Sequence, residues 1–262
     1  MIRKSDALLI GLVAQPTGSI ARFGVPSGTS GLPPPPQDSA DLGHHRAEAP
    51  RHALRIGLDC SLHWGQARRL ISDFRENRPE VELTIADVDE VGAGVSLLVD
   101  DLDAAILVQG AVPRGLRSAE LWSEHLIAAV PDGHRLAEHN AVVVADLRRE
   151  EILLAGTARA HAGLQDAIVR ALGGTAAFIR QPVTRDTLFD LVALHFGVTI
   201  VPGASTGAFY PGVAFRPICP TAHITYQLLW KPDNHNPALH EFTRFVRTAL
   251  RAGPHGHEHG DN

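Results

Sequence analysis

Residues 54–108 read LRIGLDCSLHWGQARRLISDFRENRPEVELTIADVDEVGAGVSLLVDDLDAAILV. Their apolar residues follow two patterns in turn: a period of two, as in a half-buried strand, and an i, i+3, i+4, i+7 spacing, as on one face of a helix. The last segment is a continuous apolar run, which is typical of a buried parallel strand. The stretch therefore predicts a strand-helix-strand-helix-strand unit, with segments at 54–58, 67–74, 81–85, 91–99 and 104–108.

A second unit of the same kind follows. Its first helical stripe ends at Gly173-Gly174, which can supply the left-handed conformation that closes a helix. The segments of this unit are 152–155, 164–172, 178–183, 188–192 and 198–201. Outside the two units, the pattern predicts strands at 126–130, 213–218 and 224–230. It also predicts a final amphipathic helix at 239–250.

Two such units predict an α/β fold of two lobes, each a mainly parallel sheet flanked by helices. We expect lobe I to comprise residues 51–131 and 222–250, and lobe II to comprise residues 132–221. The strand at 125–130 and the return at 218–224 then connect the lobes. Ligands of such sheets bind beyond the carboxyl ends of the strands, so a cleft between the lobes is the expected site.

The two ends of the chain differ in composition from this body. Residues 1–50 hold 7 of the 18 prolines, and a segment so poor in large apolar residues cannot offset its ordering entropy by burial. We expect disorder there and in the histidine-rich tail at 251–262. The apolar run at 7–14, after Arg3 and Lys4, resembles a weak signal peptide and keeps export open as an alternative.

The composition excludes several classes of protein. The 262 residues carry a net charge of −5, so no overall basic field attracts nucleic acid, and no apolar run reaches the roughly 18 residues of a membrane helix. Cys60 and Cys219 are too few for a disulfide scaffold. Because the Walker loop and the zinc-protease motif are missing from the sequence, and no nucleophile, base and orienting residue can be grouped from it, we expect no enzymatic activity and no cofactor. Because we expect disorder at both ends, their histidines would lack a rigid framework, and no metal site is expected either.

Four stretches of the body, taken in order, resemble the effector-binding domain of LysR-type transcriptional regulators. The likeness runs from residue 54 to about residue 250 and depends on four motifs together rather than on one. The four are LRIGL at 54–58 with FRENRPEVEL at 74–83, LLVDDLDAAI at 97–106, EHLIAAVPDGHRL at 124–136 and LVALHFGVTIVP at 191–202.

The resemblance implies a fold of the type II periplasmic-binding-protein kind, a cytoplasmic small-molecule sensor and a homodimer. Members of the family also carry an N-terminal winged helix-turn-helix. Residues 1–50 lack its pattern, so we expect the DNA-binding module to be absent or truncated and no sequence-specific DNA contact from this chain. His195 and Phe196 stand where the family has small residues, which predicts a bulkier pocket floor. An exported two-lobed solute-binding protein is the alternative function.

The expected ligand site lies where the strands end and the next helices begin. Ser61 and Thr184 offer hydroxyl groups beside free N–H groups, which can either cap a helix or hold an anion, and Arg185 adds positive charge. We therefore expect a small organic acid, with a neutral ligand held by Gln109 and Thr184 as the alternative. The candidate effector-binding residues are Cys60, Ser61, Leu62, Gln109, His125, Gly156, Thr157, Thr184, Arg185, Pro202 and Gly203.

Overall fold

A computed structural model describes residues 52–156, 161–174 and 176–252. The strands are β1 (Ala53–Leu58), β2 (Glu82–Asp87), β3 (Ala104–Val108), β4 (Arg117–Pro131), β5 (Val142–Val143), β6 (Glu151–Ala155), β7 (Ala177–Gln181), β8 (Thr199–Pro202), β9 (Val213–Cys219) and β10 (His223–Trp230). The α-helices are α1 (Gly65–Asn77), α2 (Glu90–Leu98), α3 (Val144–Leu147), α4 (Ala162–Ala171), α5 (Arg185–Ala193) and α6 (Pro237–Ala252). The disorder predicted for residues 1–50 lies outside the described residues, as does the tail beyond the end of α6.

One long strand, β4, connects the two halves of the main sheet. The strand order of that sheet is β2-β1-β3-β10-β4-β9-β5, and β8 also pairs with β4. Residues 117–125 of β4 pair with β10, and residues 126–131 pair with β8 and β9. The chain therefore passes from one half to the other within a single strand. The residue bounds of the two lobes stay a prediction.

Parallel pairing occurs where the two repeated units predict it. Strand β1 runs parallel to β2 and β3, and β6 runs parallel to β7. The connecting strands run the other way: β10 is antiparallel to β3 and β4, while β8 and β9 are antiparallel to β4. The main sheet is therefore mixed, because β4 and β10 run against the direction of the strands beside them, whereas the two-stranded sheet of β6 and β7 is parallel.

The largest core cluster packs α1 and α6 against β1. Phe74 of α1 is fully buried, and its ring makes edge contacts with Phe242 and Phe245 of α6, at centroid distances of 5.0 and 5.5 Å. Leu54 and Ile56 of β1 belong to the same cluster and are fully buried. This packing fixes β1, and with it the residues that follow β1 at the edge of the sheet.

Helix α2 turns a different face to the sheet from the one that its spaced valines and leucines suggest. Val91, Val95, Leu98 and Val99 are 42–58% exposed, whereas Ala93, Gly94 and Leu97 are buried. Small residues allow the helix backbone to approach its neighbours closely: a Cβ atom on Gly94 would lie 3.3 Å from the Pro113 ring. The spacing thus located the helix but not its buried side.

Candidate functional site

An open cleft of about 630 Å³ lies beyond the carboxyl ends of β1, β2, β6 and β7. This volume is within the roughly 300–1,000 Å³ range of small-molecule sites. Residues that follow β1 and β2 form one wall, and residues that follow β6 and β7 form the other. The lining residues are Leu58, Asp59, Cys60, Ser61, Leu62, His63, Asp87, Val88, Asp89, Ala155, Gly156, His161, Val183, Thr184, Arg185 and Asp186.

Six of the residues that the sequence singles out come together in this lining. They are Cys60, Ser61, Leu62, Gly156, Thr184 and Arg185. A smaller cavity of about 30 Å³ shares Asp59 and Arg185 with the cleft, and Pro202 is among its lining residues. Parallel strands end at the same edge of a sheet, which is why residues distant in sequence meet here. That they bind an effector stays a prediction.

Gln109, His125 and Gly203 lie outside the lining of both cavities, and Thr157 lies outside the described residues. Gln109 is exposed, and its backbone N–H donates to the Thr225 carbonyl oxygen at 2.7 Å. His125 is exposed on β4, with its ring against buried Gly203: a Cβ atom there would lie 2.9 Å from Nε2 of His125. Alternation along β4 explains this placement, because Leu126 faces the core and leaves His125 on the opposite side.

His195 and Phe196 do not form a pocket floor. Both are exposed and follow the C-terminal end of α5, whereas the N-terminal end of that helix borders the cleft. A helix of nine residues separates its ends by roughly 13 Å. The expectation of a bulkier pocket at these two residues is therefore wrong.

A cluster of Asp59, His161 and Arg185, which contains the Asp59–Arg185 ion pair, joins the two walls of the cleft. Asp59, which directly follows β1, has a side chain only 5% exposed. Its Oδ1 lies 2.8 Å from Nδ1 of His161, which precedes α4, and 3.5 Å from Nη2 of Arg185 at the start of α5. The sequence analysis missed Asp59 and His161. A carboxylate placed directly after a buried strand was the one local signal for Asp59, and nothing in the sequence pairs it with a residue 102 positions away.

Two further contacts cross the cleft. The Gly163 N–H at the start of α4 donates to Oε2 of Glu90, the first residue of α2, at 3.1 Å. Tyr210 Oη donates to Oδ1 of Asp186 at 3.1 Å and lies 3.4 Å from Nδ1 of His63. Together with the Asp59 cluster, these contacts hold the walls in one relative position. A ligand that enters between them has to fit this arrangement or shift it.

The hydroxyl groups of Ser61 and Thr184 both accept hydrogen bonds from the backbone. Ser61 Oγ accepts from the His63 N–H at 3.2 Å, and Thr184 Oγ1 accepts from the Thr187 N–H at 3.3 Å. Thr184 is the N-cap of α5 and satisfies an N–H group that the helix start leaves free, whereas Ser61 closes a turn ahead of α1. The two residues therefore have a structural function that ligand binding does not require.

Cys60 lines the cleft as a protonated thiol. Burial raises its pKa to about 12, and the Arg185 charge lowers it by less. A reactive cysteine needs a pKa near or below neutrality, since the thiolate is the nucleophile. Cys60 therefore contributes packing to the wall rather than thiol chemistry at neutral pH. Among the described residues, no three His, Cys, Asp or Glu side chains group as metal ligands.

The model of the LysR substrate binding domain family matches residues 47–251. The chain belongs to this family. The resemblance seen in the sequence is thus confirmed, and so is the α/β fold of the type II periplasmic-binding-protein kind. This chain is an effector-binding domain of the LysR type, which the comparisons favour over an exported solute-binding protein. Within the described ranges, no helix is both long and apolar enough to cross a membrane.

Several curated relatives are transcriptional regulators of Escherichia coli strain K12. The uncharacterized HTH-type regulator YnfL is 27% identical over 213 residues, which cover 79% of this chain and 71% of YnfL. XapR is 22% identical over 195 residues, which cover 74% of this chain and 66% of XapR. The chain thus spans about two thirds of the length of these relatives.

Solved structures show the same fold. The BenM effector-binding domain with its effector benzoate has a TM-score of 0.63 and 19% identity, covering 79% of this chain and 98% of that one. The QuiR effector-binding domain in complex with shikimate has a TM-score of 0.66 and 16% identity, covering 77% and 98%. At these identities the likeness establishes the architecture and leaves the ligand of this chain open.

Proposed function

We propose that the cleft lined by Asp59 and Arg185 is the effector site of this domain, and that effector binding shifts the relative position of its walls. The observation that carries the proposal is the ion-pair cluster across a cleft of small-molecule size. A ligand that binds one arrangement of the walls better than another shifts the population toward it. Such a shift is the means by which a sensor domain reports its ligand to the rest of a regulator.

A steric test of this site does not depend on the charge of the effector. Val183 is half-buried and lines the cleft, so Val183→Trp should fill the cleft and weaken effector binding at least tenfold. Binding is measured by thermal-shift screening of metabolites and then by calorimetry. A ligand at 100 times its dissociation constant should stabilise the wild type by about 2.7 kcal/mol.

Val112→Trp is the matched control, because Val112 is 41% exposed and absent from the cleft lining. It should leave effector affinity unchanged. Equal affinity in the wild type and in both variants would place the ligand elsewhere and disprove the proposed site.

We also infer that the domain is cytoplasmic, forms a homodimer and has no enzymatic activity. The apolar stripe of α2 supports pairing, because Val91, Val95, Leu98 and Val99 repeat on one helix face and are all more than 40% exposed. Soluble monomers rarely expose contiguous apolar patches of this kind. An isologous dimer would bury the stripe against its own copy.

Val95→Glu should raise the dimer dissociation constant at least tenfold, because the interface would have to bury a carboxylate. Sedimentation velocity over a concentration series measures the change. Leu194→Glu is the control, since Leu194 is 66% exposed beyond the end of α5. A wild type that stays monomeric at high micromolar concentration would rule out this dimer.

Sequence-specific DNA binding is not expected from the described part of the chain. Within residues 52–156, 161–174 and 176–252, a strand separates each α-helix from the next, so no helix-turn-helix forms there. The net charge of −5 adds no attraction for phosphates. We propose that DNA reading in an intact regulator belongs to a separate module.

A further inference from the structure

We infer that the effector of this domain is a cation, carrying at least one protonated amine or guanidine group and a net positive charge. The inference rests on the proposed function: the cleft supplies the site, and its charges supply only the chemical class of ligand. Four carboxylates line the cleft, at Asp59, Asp87, Asp89 and Asp186, against one arginine and two histidines, His63 and His161. Even with both histidines protonated, the carboxylates outnumber the cationic groups of the described lining.

This arginine already forms an ion pair with a carboxylate of the protein. Arg185 Nη2 lies 3.5 Å from Asp59 Oδ1, and that carboxylate also lies 2.8 Å from His161 Nδ1. An incoming carboxylate would have to share Arg185 with Asp59, whose side chain is only 5% exposed and cannot turn away into solvent. Arg185, which suggests an organic acid when the sequence is considered alone, is thus already paired with the carboxylate of Asp59.

The other three carboxylates have no ion-pair partner among the described residues. Asp87 is exposed at the end of β2. Asp89 accepts the Gly92 N–H at 2.6 Å, and Asp186 accepts the Tyr210 hydroxyl at 3.1 Å. Hydrogen bonds from neutral donors stabilise a carboxylate without cancelling its charge. Asp89 caps α2 and Asp186 lies in the first turn of α5, where the positive end of each helix dipole offsets part of a negative charge. The remaining negative charge faces whatever enters the cleft.

The charges of residues 157–160, which lie outside the described residues, do not reverse the excess of negative over positive groups at the cleft. Arg159 is the one charged residue of positions 157–160. If its charge is added to the lining, four carboxylates face two arginines, and His63 and His161 add positive charge only when protonated. Low-dielectric walls strengthen such a field inside a cleft, which raises the local concentration of ligands of the opposite charge.

The test measures the sign of this field directly. In a Cys219→Ser background, Val183→Cys places one thiol on the cleft wall, while Cys60 stays buried. The rate at which that thiol is labelled is measured with two methanethiosulfonate reagents of equal chain length. One reagent carries a trimethylammonium group and the other carries a sulfonate group. Exposed Cys219 of the wild type is the matched reference. We expect the cation-to-anion rate ratio at position 183 to exceed that at Cys219 at least tenfold.

Charge neutralisation identifies the source of the effect. Asp87→Asn combined with Asp186→Asn should lower the ratio at position 183 several-fold and leave the ratio at Cys219 unchanged. A ratio at position 183 equal to or below that at Cys219 would overturn the inference.

The same thiol separates this inference from the proposed function. Basic metabolites should protect the thiol from labelling. An anionic metabolite that protects it better than any amine would overturn the cationic class and leave the effector site standing. A thiol that no metabolite protects would count against the effector site itself, and with it against the class assigned here.

Discussion

Replacing Phe74 by alanine should lower the free energy of unfolding by about 3–5 kcal/mol. The side chain is fully buried, and its ring makes edge contacts with Phe242 and Phe245. Its removal takes away buried apolar surface and leaves a cavity between α1 and α6 that neighbouring groups only partly refill. Equilibrium urea unfolding, followed by circular dichroism, measures the loss.

Phe209→Ala is the control for Phe74→Ala, because Phe209 is 87% exposed. It should change the free energy of unfolding by less than about 0.5 kcal/mol. Comparable losses in both variants would show that the packing of α1 on α6 is not what stabilises this fold. The prediction also bears on function, since the same packing positions β1 and therefore Asp59.

The strands and helices of the core could be predicted because their apolar residues follow a single period. The stripe that ends at Phe74 repeats with the period of a helix and has polar residues on its other side, so both the helix and its buried face are specified. Helix α2 reads EVGAGVSLL and is apolar on nearly every side. Its period is visible there, but the buried face is decided by which side chains are small enough to let the helix approach the sheet.

The site could be predicted as far as sheet geometry determines it. Cys60 and Thr184 lie near strand ends that a parallel sheet brings to one edge, and the structure places both in the cleft. The pairing of Asp59 with His161 could not be predicted. It depends on how the two halves of the fold approach each other through β4, and no local pattern records that distance.

The same reasoning explains why we infer a cationic effector from the structure, whereas the sequence predicts an organic acid. Arg185 at a helix start suggests an anion site when it is considered alone. In the folded chain Asp59 reaches it from a strand 126 residues earlier, and Asp87 and Asp89 arrive from the end of β2. The net charge of a cleft is the sum of the charges on both walls. An assessment of one residue at a time therefore gives the charge of that residue and not the charge of the cleft.

Asp103→Ala should cost about 3 kcal/mol at pH 7, because it leaves the partners of a buried carboxylate unsatisfied. The Asp103 side chain is 3% exposed. It accepts the Arg55 backbone N–H at 2.8 Å, the Arg55 guanidinium at 3.2 Å and the Asn234 amide at 3.2 Å. These bonds tie β1 to the start of β3 and to the segment after β10. Asp101→Ala, at an exposed neighbour, is the control and should cost less than about 0.5 kcal/mol.

The cost of Asp103→Ala should also depend on pH in a defined direction. Burial alone would raise the pKa of Asp103, but the hydrogen bonds from Arg55 and Asn234 outweigh it, and the folded-state pKa lies below the ordinary value. A carboxylate of this kind stabilises the fold above its unfolded pKa of about 3.9, and the contribution is lost as the pH falls toward the folded pKa. Urea unfolding of the wild type and of Asp103→Ala at pH 7, 5 and 3.5 should therefore show a difference that is full at pH 7 and pH 5 and smaller at pH 3.5. A difference that stays constant down to pH 3.5 would mean that the loss comes from packing rather than from the charge that Arg55 and Asn234 hold.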